Sequence, residues 1–261
     1  MNSKLLIIAG SDPSGGAGAQ ADIKTAQSHG VYASAIMTCL TAQNTKKVAN
    51  INYPPISFLR SQLQTIFDDI SFDAIKIGML GTKEIIEEVS YNLEKYNKGT
   101  PLILDPVITA TSGDLLLKNN AVESLKVNLI PKSLLITPNI DEAKILSSIE
   151  IDNISDMKKS AHIIKDFGAK NVLIKGGHLN FRDEKIRSVL LDEQNNFHII
   201  TNKKIDLHNV HGTGCTLASA IACNISLKQD VLASVRAANQ YVYRAIKGSL
   251  KVGSGSFVLR H

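Results

Sequence analysis

The chain has 261 residues, which suits one large α/β domain or two small ones, and 44% of them are hydrophobic, enough to bury a sizeable core. Its net charge of +5 comes from scattered lysines and its aromatic content is 5%, which disfavours nucleic-acid binding because bases would find little to stack on. The three cysteines, Cys39, Cys215 and Cys223, show neither CxxC spacing nor a paired histidine, which disfavours a zinc site and favours a reducing, cytoplasmic location.

Short apolar runs alternate with stretches of helical periodicity along the whole chain. The first apolar run, which begins at Leu5, is too short for a membrane span or a signal-peptide core, so it predicts a buried strand and no membrane association. The predicted strands are 5–9, 33–40, 74–77, 102–104, 134–136 and 172–174. The predicted helices are 17–29, 56–70, 83–97, 120–129, 139–148, 155–168, 213–226 and 229–247.

Two strand-like pieces, 186–191 and 197–200, are joined by a polar turn and predict a hairpin. Continuous Ile/Leu/Val strands separated by helices are typical of a mostly parallel sheet covered on both faces. The fold class expected is therefore α/β, a three-layer αβα sandwich with the hairpin as an antiparallel edge. No long linker or repeat interrupts the pattern, so we expect a single domain over residues 1–261.

Six polar or glycine-rich segments each follow a predicted strand. They are 10–18, 41–44, 78–81, 105–106, 137–139 and 175–177. Ligands of such sheets gather beyond the carboxyl ends of the strands, so the six segments predict one shared site. Loops of α/β proteins are commonly rich in Gly, Pro and Asn, which accounts for the glycines but not for the repeated carboxylates, amides and lysine.

The most informative segment is HGTGC at 211–215, directly before an apolar helix. Glycines at a helix start let backbone N–H groups converge on an anion, so Gly212, Thr213 and Gly214 are candidates for stabilising a phosphoryl group during its transfer. Cys215 lies in the first helical turn, where the pKa of a thiol tends to fall, and its thiolate could accept a proton from a substrate hydroxyl. An inert buried cysteine after an ordinary helix-start turn is the other interpretation.

The first loop, 10–18, is not a Walker A loop, because Gly10-xxxx-Gly15 is followed by Gly-Ala and not by Lys-Ser/Thr. It also lacks GxGxxG in register, which disfavours a dinucleotide cofactor. A loop that closes over a small substrate is compatible with it. Asp22, in the helix that follows, could bond an amine or a hydroxyl, or be an ordinary acidic residue near a helix N-terminus.

Asp105 and Glu142 are the candidate metal ligands, because Mg²⁺ needs only a few carboxylates besides water and phosphate oxygens. Asn139 and Glu142 also have the spacing of a helix capping pair, and the two roles are compatible. Lys175 ends a strand before two glycines, where it could neutralise nucleotide phosphates. Lysines at strand ends also often extend to solvent without a function.

Seven segments in this order resemble the hydroxymethylpyrimidine/phosphomethylpyrimidine kinases of thiamine biosynthesis, within the ribokinase-like superfamily. They are AGSDPSGGAGAQADIKT (9–25), LTAQNT (40–45), IKIGMLG (75–81), LDPV (104–107), TPNIDE (137–142), IKGGH (174–178) and HGTGCT (211–216). The resemblance covers residues 4 to about 250. It implies an αβα sandwich, a homodimer, and two successive phosphorylations of a pyrimidine that use ATP and Mg²⁺.

The resemblance also implies roles for individual residues. Gln43 would read the pyrimidine through hydrogen bonds, with help from Asp22 and the backbone at Gly10, and Met79 and Val107 would contact the ring. The nucleotide and its metal would be bound by Asn139, Glu142, Lys175 and Thr213, with Asp105 organising the water around the metal. The turn 212–215 would form the anion hole.

Many relatives in the wider superfamily carry an aspartate base where this chain has Cys215, whereas the pyrimidine kinases and some pyridoxal kinases resemble it in carrying cysteine. A pyridoxal kinase is therefore the nearest alternative, although the segments 12–16 and 41–44 favour a pyrimidine substrate. A vitamer-binding regulator without catalysis is a second alternative, disfavoured by the joint presence of Asp105, Glu142, Lys175 and Cys215. A dinucleotide-dependent oxidoreductase is a remote third.

Overall fold

The first strand shows how the apolar runs build the sheet. In β1 (Lys4–Ser11), Leu6 and Ile8 join one hydrophobic core, while Leu5 and Ile7 join a second core on the opposite face. Side chains of a strand alternate between its two faces, so a run in which every residue is apolar must be covered on both sides. A parallel sheet between two layers of helices meets that requirement.

The structure, a computed structural model, describes residues 3–108, 117, 119–177, 179, 184–207 and 209–261. His178, the last residue of the segment 174–178, lies outside them. Nine strands form one sheet in the order β3-β2-β1-β4-β5-β6-β7-β8-β9. Besides β1 they are β2 (Tyr32–Gln43), β3 (Val48–Asn52), β4 (Ala74–Ile77), β5 (Leu102–Leu104), β6 (Leu135–Ile136), β7 (Asn171–Ile174), β8 (Lys185–Leu191) and β9 (Phe197–Lys203).

The six central strands run parallel; in sheet order they are β2, β1, β4, β5, β6 and β7. Antiparallel strands flank them at both edges. Strand β3 pairs antiparallel with β2, and the β8–β9 hairpin pairs antiparallel with β7. A separate parallel pair joins β10 (Val210–His211) to β11 (Phe257–Val258). The α/β class, the parallel sheet and the edge hairpin are thus confirmed.

The helices are divided between the two faces of the sheet. They are α1 (Gly18–Ser28), α2 (Ile56–Asp69), α3 (Lys83–Tyr96), α4 (Asn119–Asn128), α5 (Ile140–Ser147), α6 (Ile154–Asp166), α7 (Thr213–Ser226) and α8 (Val231–Lys247). Buried residues of α1, α7 and α8 belong to one core, and those of α2 to α6 belong to the other. This is the three-layer sandwich predicted. Within the described ranges, no helix is both long and apolar enough to cross a membrane.

Strand β1 lies between β2 and β4, so the chain leaves β1 towards one side and later returns to its other side. Helix α1 follows β1 on one face, whereas α2 and α3 lie on the other. Such a reversal opens a crevice at the carboxyl ends of the strands, where ligands of α/β proteins bind. Most of the six polar segments lie at this edge.

One of those six segments is placed differently from the prediction. Residues 41–43 do not follow β2 but belong to it, because β2 continues to Gln43 and pairs there with β3. The edge strand β3 (Val48–Asn52) was not predicted, because it is only five residues long and two asparagines interrupt its apolar residues. The C-terminal tail, for which no sequence pattern predicts a role, packs back on the site: Ser256 N donates to the carbonyl of Thr45 at 2.7 Å, and β11 pairs with β10.

Candidate active site

The turn at residues 212–215 begins α7, and its first residue must be a glycine. Gly212 has a φ of 84°, in the left-handed region, and a Cβ atom there would overlap the carbonyl oxygen of Gly16. No side chain caps the helix start, which leaves first-turn N–H groups able to bind a ligand. Thr213 and Gly214, both half-buried, form the first turn beside it. The geometry is that of an anion site at a helix N-terminus.

An ion pair lies directly beside this turn. Lys175 Nζ is 2.9 Å from Asp105 Oδ1, and the hydroxyl of Thr137 donates to the same oxygen at 3.1 Å. A Cβ atom on Gly214 would lie 3.2 Å from Lys175 Nζ and 3.7 Å from Asp105 Oδ2. Three of the predicted residues, from the ends of β5 and β7 and the start of α7, are therefore neighbours. Burial works against the charge of Lys175, but Asp105 and Glu142 outweigh it and raise the pKa of the ammonium.

Glu142 and Asn139 form the predicted capping pair at the start of α5. Asn139 Oδ1 accepts from the backbone N–H of Glu142 at 2.9 Å, and Glu142 Oε2 accepts from that of Asn139 at 2.8 Å. The Glu142 side chain is only 3% exposed. Burial raises the pKa of Glu142 to about 7, and the repulsion of Asp105 adds to this shift, whereas the attraction of Lys175 opposes it. The positive charge around Glu142 is thus too small to offset the cost of burying its ionised carboxylate.

That property makes Asp105 and Glu142 suitable for a Mg²⁺ ion carried with nucleotide phosphates. Mg²⁺ takes one or two protein carboxylates and completes its coordination with water and phosphate oxygens. A cation arriving between these carboxylates would supply the charge that buried Glu142 lacks. Clusters of three or more Asp, Glu, His or Cys side chains of the kind that hold a metal alone are not found in the described part of the chain.

Cys215 is half-buried in the first turn of α7. Helix α1, which begins at Gly18, packs against α7. Burial nevertheless raises the pKa of Cys215 to about 11; the ammonium of Lys76 opposes this shift, and Asp22 and Asp105 add to it. The prediction that the helix start lowers the pKa of this thiol is therefore wrong, because the loss of hydration outweighs the favourable dipoles. Cys39 and Cys223 are fully buried.

Asp22 lies behind the site and not on its surface. Its side chain is completely buried, with Oδ2 2.7 Å from Lys76 Nζ and Oδ1 accepting from the hydroxyl of Ser219 at 2.7 Å. Both oxygens are therefore bonded within the protein. The expected direct bond from Asp22 to the substrate does not fit this position.

Gln43 ends β2, and both atoms of its amide are held. Its Oε1 accepts from the hydroxyl of Thr41 at 3.2 Å, and its Nε2 is 3.0 Å from Nε2 of His211. The same His211 nitrogen is 3.1 Å from Oδ2 of Asp12 in the first loop. Because His211 directly precedes Gly212, this group of contacts connects Gln43, the predicted pyrimidine-binding residue, to the turn at residues 212–215.

The remaining predicted substrate residues lie at the carboxyl ends of β1, β4 and β5. A Cβ atom on Gly10 would lie 2.7 Å from Cys39 Sγ and 3.4 Å from Met79 Sδ, so only a glycine fits there without a shift. Met79 and Val107 are half-buried, and Val107 follows Asp105 by two residues. Their contact with a ring stays a prediction.

Three side chains of this region were not predicted, namely Lys76, His211 and Asp12. A signal for Lys76 exists in the sequence, because it is the one charged residue of the strand AIKI (Ala74–Ile77), and a buried charge needs a partner. Asp12 and His211 lie in segments that the sequence singles out, but no role was predicted for their side chains. They are 199 positions apart and meet only when the first loop and the anion turn pack together.

Comparison with known proteins gives matches along the whole chain. The family profile described as phosphomethylpyrimidine kinase matches residues 12–260. The chain is similar to the hydroxymethylpyrimidine/phosphomethylpyrimidine kinase of Aquifex aeolicus, with 41% identity over 96% of each chain.

Two solved structures have the same fold. One is the phosphomethylpyrimidine kinase of Clostridium difficile, at 40% identity and a TM-score of 0.83, covering 94% of this chain and 100% of that one. The other is the pyridoxal kinase of Staphylococcus aureus in complex with AMP-PCP and pyridoxal, at 34% identity and a TM-score of 0.90, covering 100% of this chain and 94% of that one.

Proposed function

The chain belongs to the phosphomethylpyrimidine kinase family, and on that basis we propose that it phosphorylates 4-amino-5-hydroxymethyl-2-methylpyrimidine with ATP. It then phosphorylates the resulting monophosphate to the diphosphate used in thiamine biosynthesis. The observation that carries the proposal is the arrangement of Asp105, Lys175 and Glu142 around the uncapped helix start at Gly212. This arrangement has the charges and donors that phosphoryl transfer requires.

In the first reaction, the hydroxymethyl oxygen of the pyrimidine forms a bond to the γ-phosphorus. The bond from that phosphorus to the bridging oxygen breaks, and ADP leaves with the bonding pair. The hydroxyl proton passes to the thiolate of Cys215. The N–H groups of residues 212–215 stabilise the charge on the non-bridging oxygens during transfer.

The nucleotide end of the site consists of Asn139, Glu142, Lys175 and Thr213. Lys175 neutralises phosphate charge while it stays oriented by Asp105. Asp105 and Glu142 would hold Mg²⁺, which supplies further neutralisation of the phosphates when bound. Asn139 keeps Glu142 in place through the capping pair.

The pyrimidine end of the site consists of Gln43, Gly10, Met79 and Val107. An amide can donate and accept at once, as an aminopyrimidine edge requires. The Gln43 amide keeps one N–H and one lone pair beyond its contacts with Thr41 and His211. Met79 and Val107 supply apolar contact to the ring.

Purified protein tests the proposal when it is offered ATP, Mg²⁺ and one of three acceptors in parallel, namely the hydroxymethylpyrimidine, its monophosphate, or pyridoxal. Products are separated by chromatography and identified by mass. We expect the monophosphate from the first acceptor and the diphosphate from the second. No turnover of either pyrimidine would refute the proposal. Turnover of the hydroxymethylpyrimidine alone would refute the second phosphorylation.

The third acceptor addresses the pyridoxal alternative, for which the similarity to the Staphylococcus aureus pyridoxal kinase is the specific support. An apolar slot discriminates weakly between similar rings, whereas hydrogen bonding to ring substituents discriminates strongly. We therefore expect a higher kcat/KM for the pyrimidine. ATP and pyridoxal binding without turnover of any acceptor would favour the regulator alternative.

We further propose that the enzyme is a cytoplasmic homodimer. Tyr32, Leu40 and Phe58 are large side chains exposed by 58%, 56% and 59% on β2 and the neighbouring α2. Exposed large apolar side chains on an outer strand and its neighbouring helix make this surface a candidate protein interface. Size-exclusion chromatography with light scattering tests the dimer, which a mass near 28.3 kDa would contradict.

A further inference from the structure

A buried network of three polar side chains lies beneath Cys215, and the reaction described above does not use it. Lys76 and Asp22 are both completely buried, and their charged groups are 2.7 Å apart. Ser219 donates to the other oxygen of Asp22 at 2.7 Å. The three residues come from β4, α1 and α7, so the network connects three elements at the centre of the fold.

The network is aligned with Cys215 by the geometry of two helices. Ser219 follows Cys215 by four residues on α7, and Asp22 follows Gly18 by four residues on α1. Residues four apart lie on the same face of a helix, one turn from each other. The bond from Ser219 to Asp22 thus joins the two helices one turn below Cys215 and Gly18. Lys76 enters this stack from β4, against which α7 packs.

Stability alone is a weak reason for such a pair. Removing two charges from water costs as much as their attraction returns, and well-packed apolar residues often serve as well or better. The ammonium also has three donors, of which the described contacts account for one, the bond to Asp22. A buried positive charge near a thiol that must ionise has a more direct use.

The charged groups facing Cys215 come from four elements. Lys76 on β4 and Lys175 after β7 favour a thiolate, whereas Asp22 on α1 and Asp105 after β5 disfavour it. Lys175 is already paired with Asp105 beside the phosphoryl position. Lys76 is the largest favourable charge for the sulfur, and Asp22 is the largest unfavourable one.

We propose that Lys76 is a positioning residue for catalysis: its ammonium, held beneath α7 by Asp22 and Ser219, provides positive charge that favours the thiolate of Cys215 over the thiol. The proposal rests on the proposed function, in which Cys215 accepts the substrate proton. In this arrangement Lys76 increases the acidity of Cys215 from its position beneath α7, without contacting the substrate or the nucleotide.

The test measures the alkylation rate of Cys215 by iodoacetamide between pH 6 and 10, with the Cys215 peptide quantified by mass spectrometry. This readout reports the thiolate and does not depend on turnover, so it separates failure of this proposal from failure of the proposed function. Cys39 and Cys223 are fully buried and serve as internal references for unfolding. A Cys215→Ala protein gives the blank.

The two partners of the ion pair should have opposite effects. Lys76→Met should slow alkylation of Cys215 at pH 7.5 at least ten-fold and shift the midpoint of its pH profile upward. Asp22→Asn removes the unfavourable charge, keeps an acceptor for Ser219, and should accelerate alkylation. A purely structural pair would change the rate in the same direction in both variants, through looser packing, and that result would overturn the proposal.

Loss of one partner can unfold the protein, because an unpaired buried charge is costly. The variant Lys76→Met with Asp22→Asn leaves no unpaired charge, and comparison with Asp22→Asn alone isolates the lysine in a neutral background. We expect this added change to slow alkylation at least ten-fold and to lower kcat with little change in the KM for ATP. Equal alkylation rates in the two proteins would refute the role of Lys76.

Discussion

Glu142 provides a quantitative test of the electrostatics of the site. Its pKa rises from an ordinary 4.5 to about 7, chiefly because the side chain is buried. A carboxyl group whose pKa is higher in the folded protein binds its proton more tightly there than in the unfolded chain. Stability is therefore lost as pH rises from about 4.5 to about 7, since the unfolded chain releases this proton first.

The magnitude follows from the size of the shift. At 1.36 kcal/mol per pKa unit, a shift from 4.5 to about 7 destabilises the folded protein by about 3 kcal/mol once both states are ionised. Between pH 5 and pH 8 the loss attributable to this group is roughly 2–3 kcal/mol. This is a large part of the stability of an ordinary domain, which is about 5–15 kcal/mol.

The perturbation is Glu142→Gln. Glutamine is also a favourable partner in a capping box, so the bond to the Asn139 N–H survives while the titration is removed. The assay is urea unfolding at pH 5 and pH 8 without nucleotide or Mg²⁺. We expect the wild-type protein to lose roughly 2–3 kcal/mol more than the variant over this interval.

The matched control is Glu150→Gln, eight residues further on. Glu150 is 80% exposed and pairs with Lys144 at the surface, where an ion pair contributes little to stability. This variant should keep the pH dependence of the wild-type protein. Parallel pH profiles for wild-type protein and Glu142→Gln would refute the reasoning, because they would show that the folded protein does not hold this proton.

Three further substitutions test the remaining parts of the site. Cys215→Ala should lower kcat at least ten-fold with little change in ATP affinity, measured by steady-state kinetics and calorimetry, and near-wild-type turnover would assign proton removal elsewhere. Gln43→Leu should raise the KM for the pyrimidine more than ten-fold while ATP affinity stays unchanged, because polar groups of the substrate lose their hydrogen-bond partner. An equal loss of pyrimidine and ATP affinity would contradict the role of Gln43 in pyrimidine binding. Gly212→Ala should abolish activity and lower stability by about 1–2 kcal/mol from the left-handed backbone alone, as measured by turnover and urea unfolding; unchanged activity would exclude this turn as the anion site.

The sequence predicts the layered fold well because its signals are local. Strands such as Leu102–Leu104 and Ala74–Ile77 are short apolar runs between helices of clear periodicity, and both occur where predicted. Strand β3 could not be found in this way, since it lies at an edge, is mostly exposed, and depends on its pairing with β2. Without β3, the sequence places Gln43 after the end of β2, whereas in the structure Gln43 is the last residue of β2.

The site was predictable where its residues lie at strand ends and not where it depends on contacts distant in sequence. Asp105 and Lys175 follow buried strands, and parallel strands bring their carboxyl ends together, so their meeting could be expected. The ion pair of Lys76 with Asp22 joins a strand interior to a helix interior. That contact depends on the packing of α1 and α7 over β4. It removed Asp22 from the substrate surface and gave it a partner that local patterns do not indicate.

The balance of buried charge favours the turn at residues 212–215 over the thiol of Cys215 as the main source of the proposed chemistry. Lys76 is paired with Asp22 and Lys175 with Asp105, so these four groups sum to zero. Glu142 near pKa 7 and Cys215 near pKa 11 are both disfavoured as anions. A site in this state gains little from further negative side chains and must meet an incoming phosphate with dipoles. The uncapped starts of α7 and α1 supply them without adding a charge that would need its own partner.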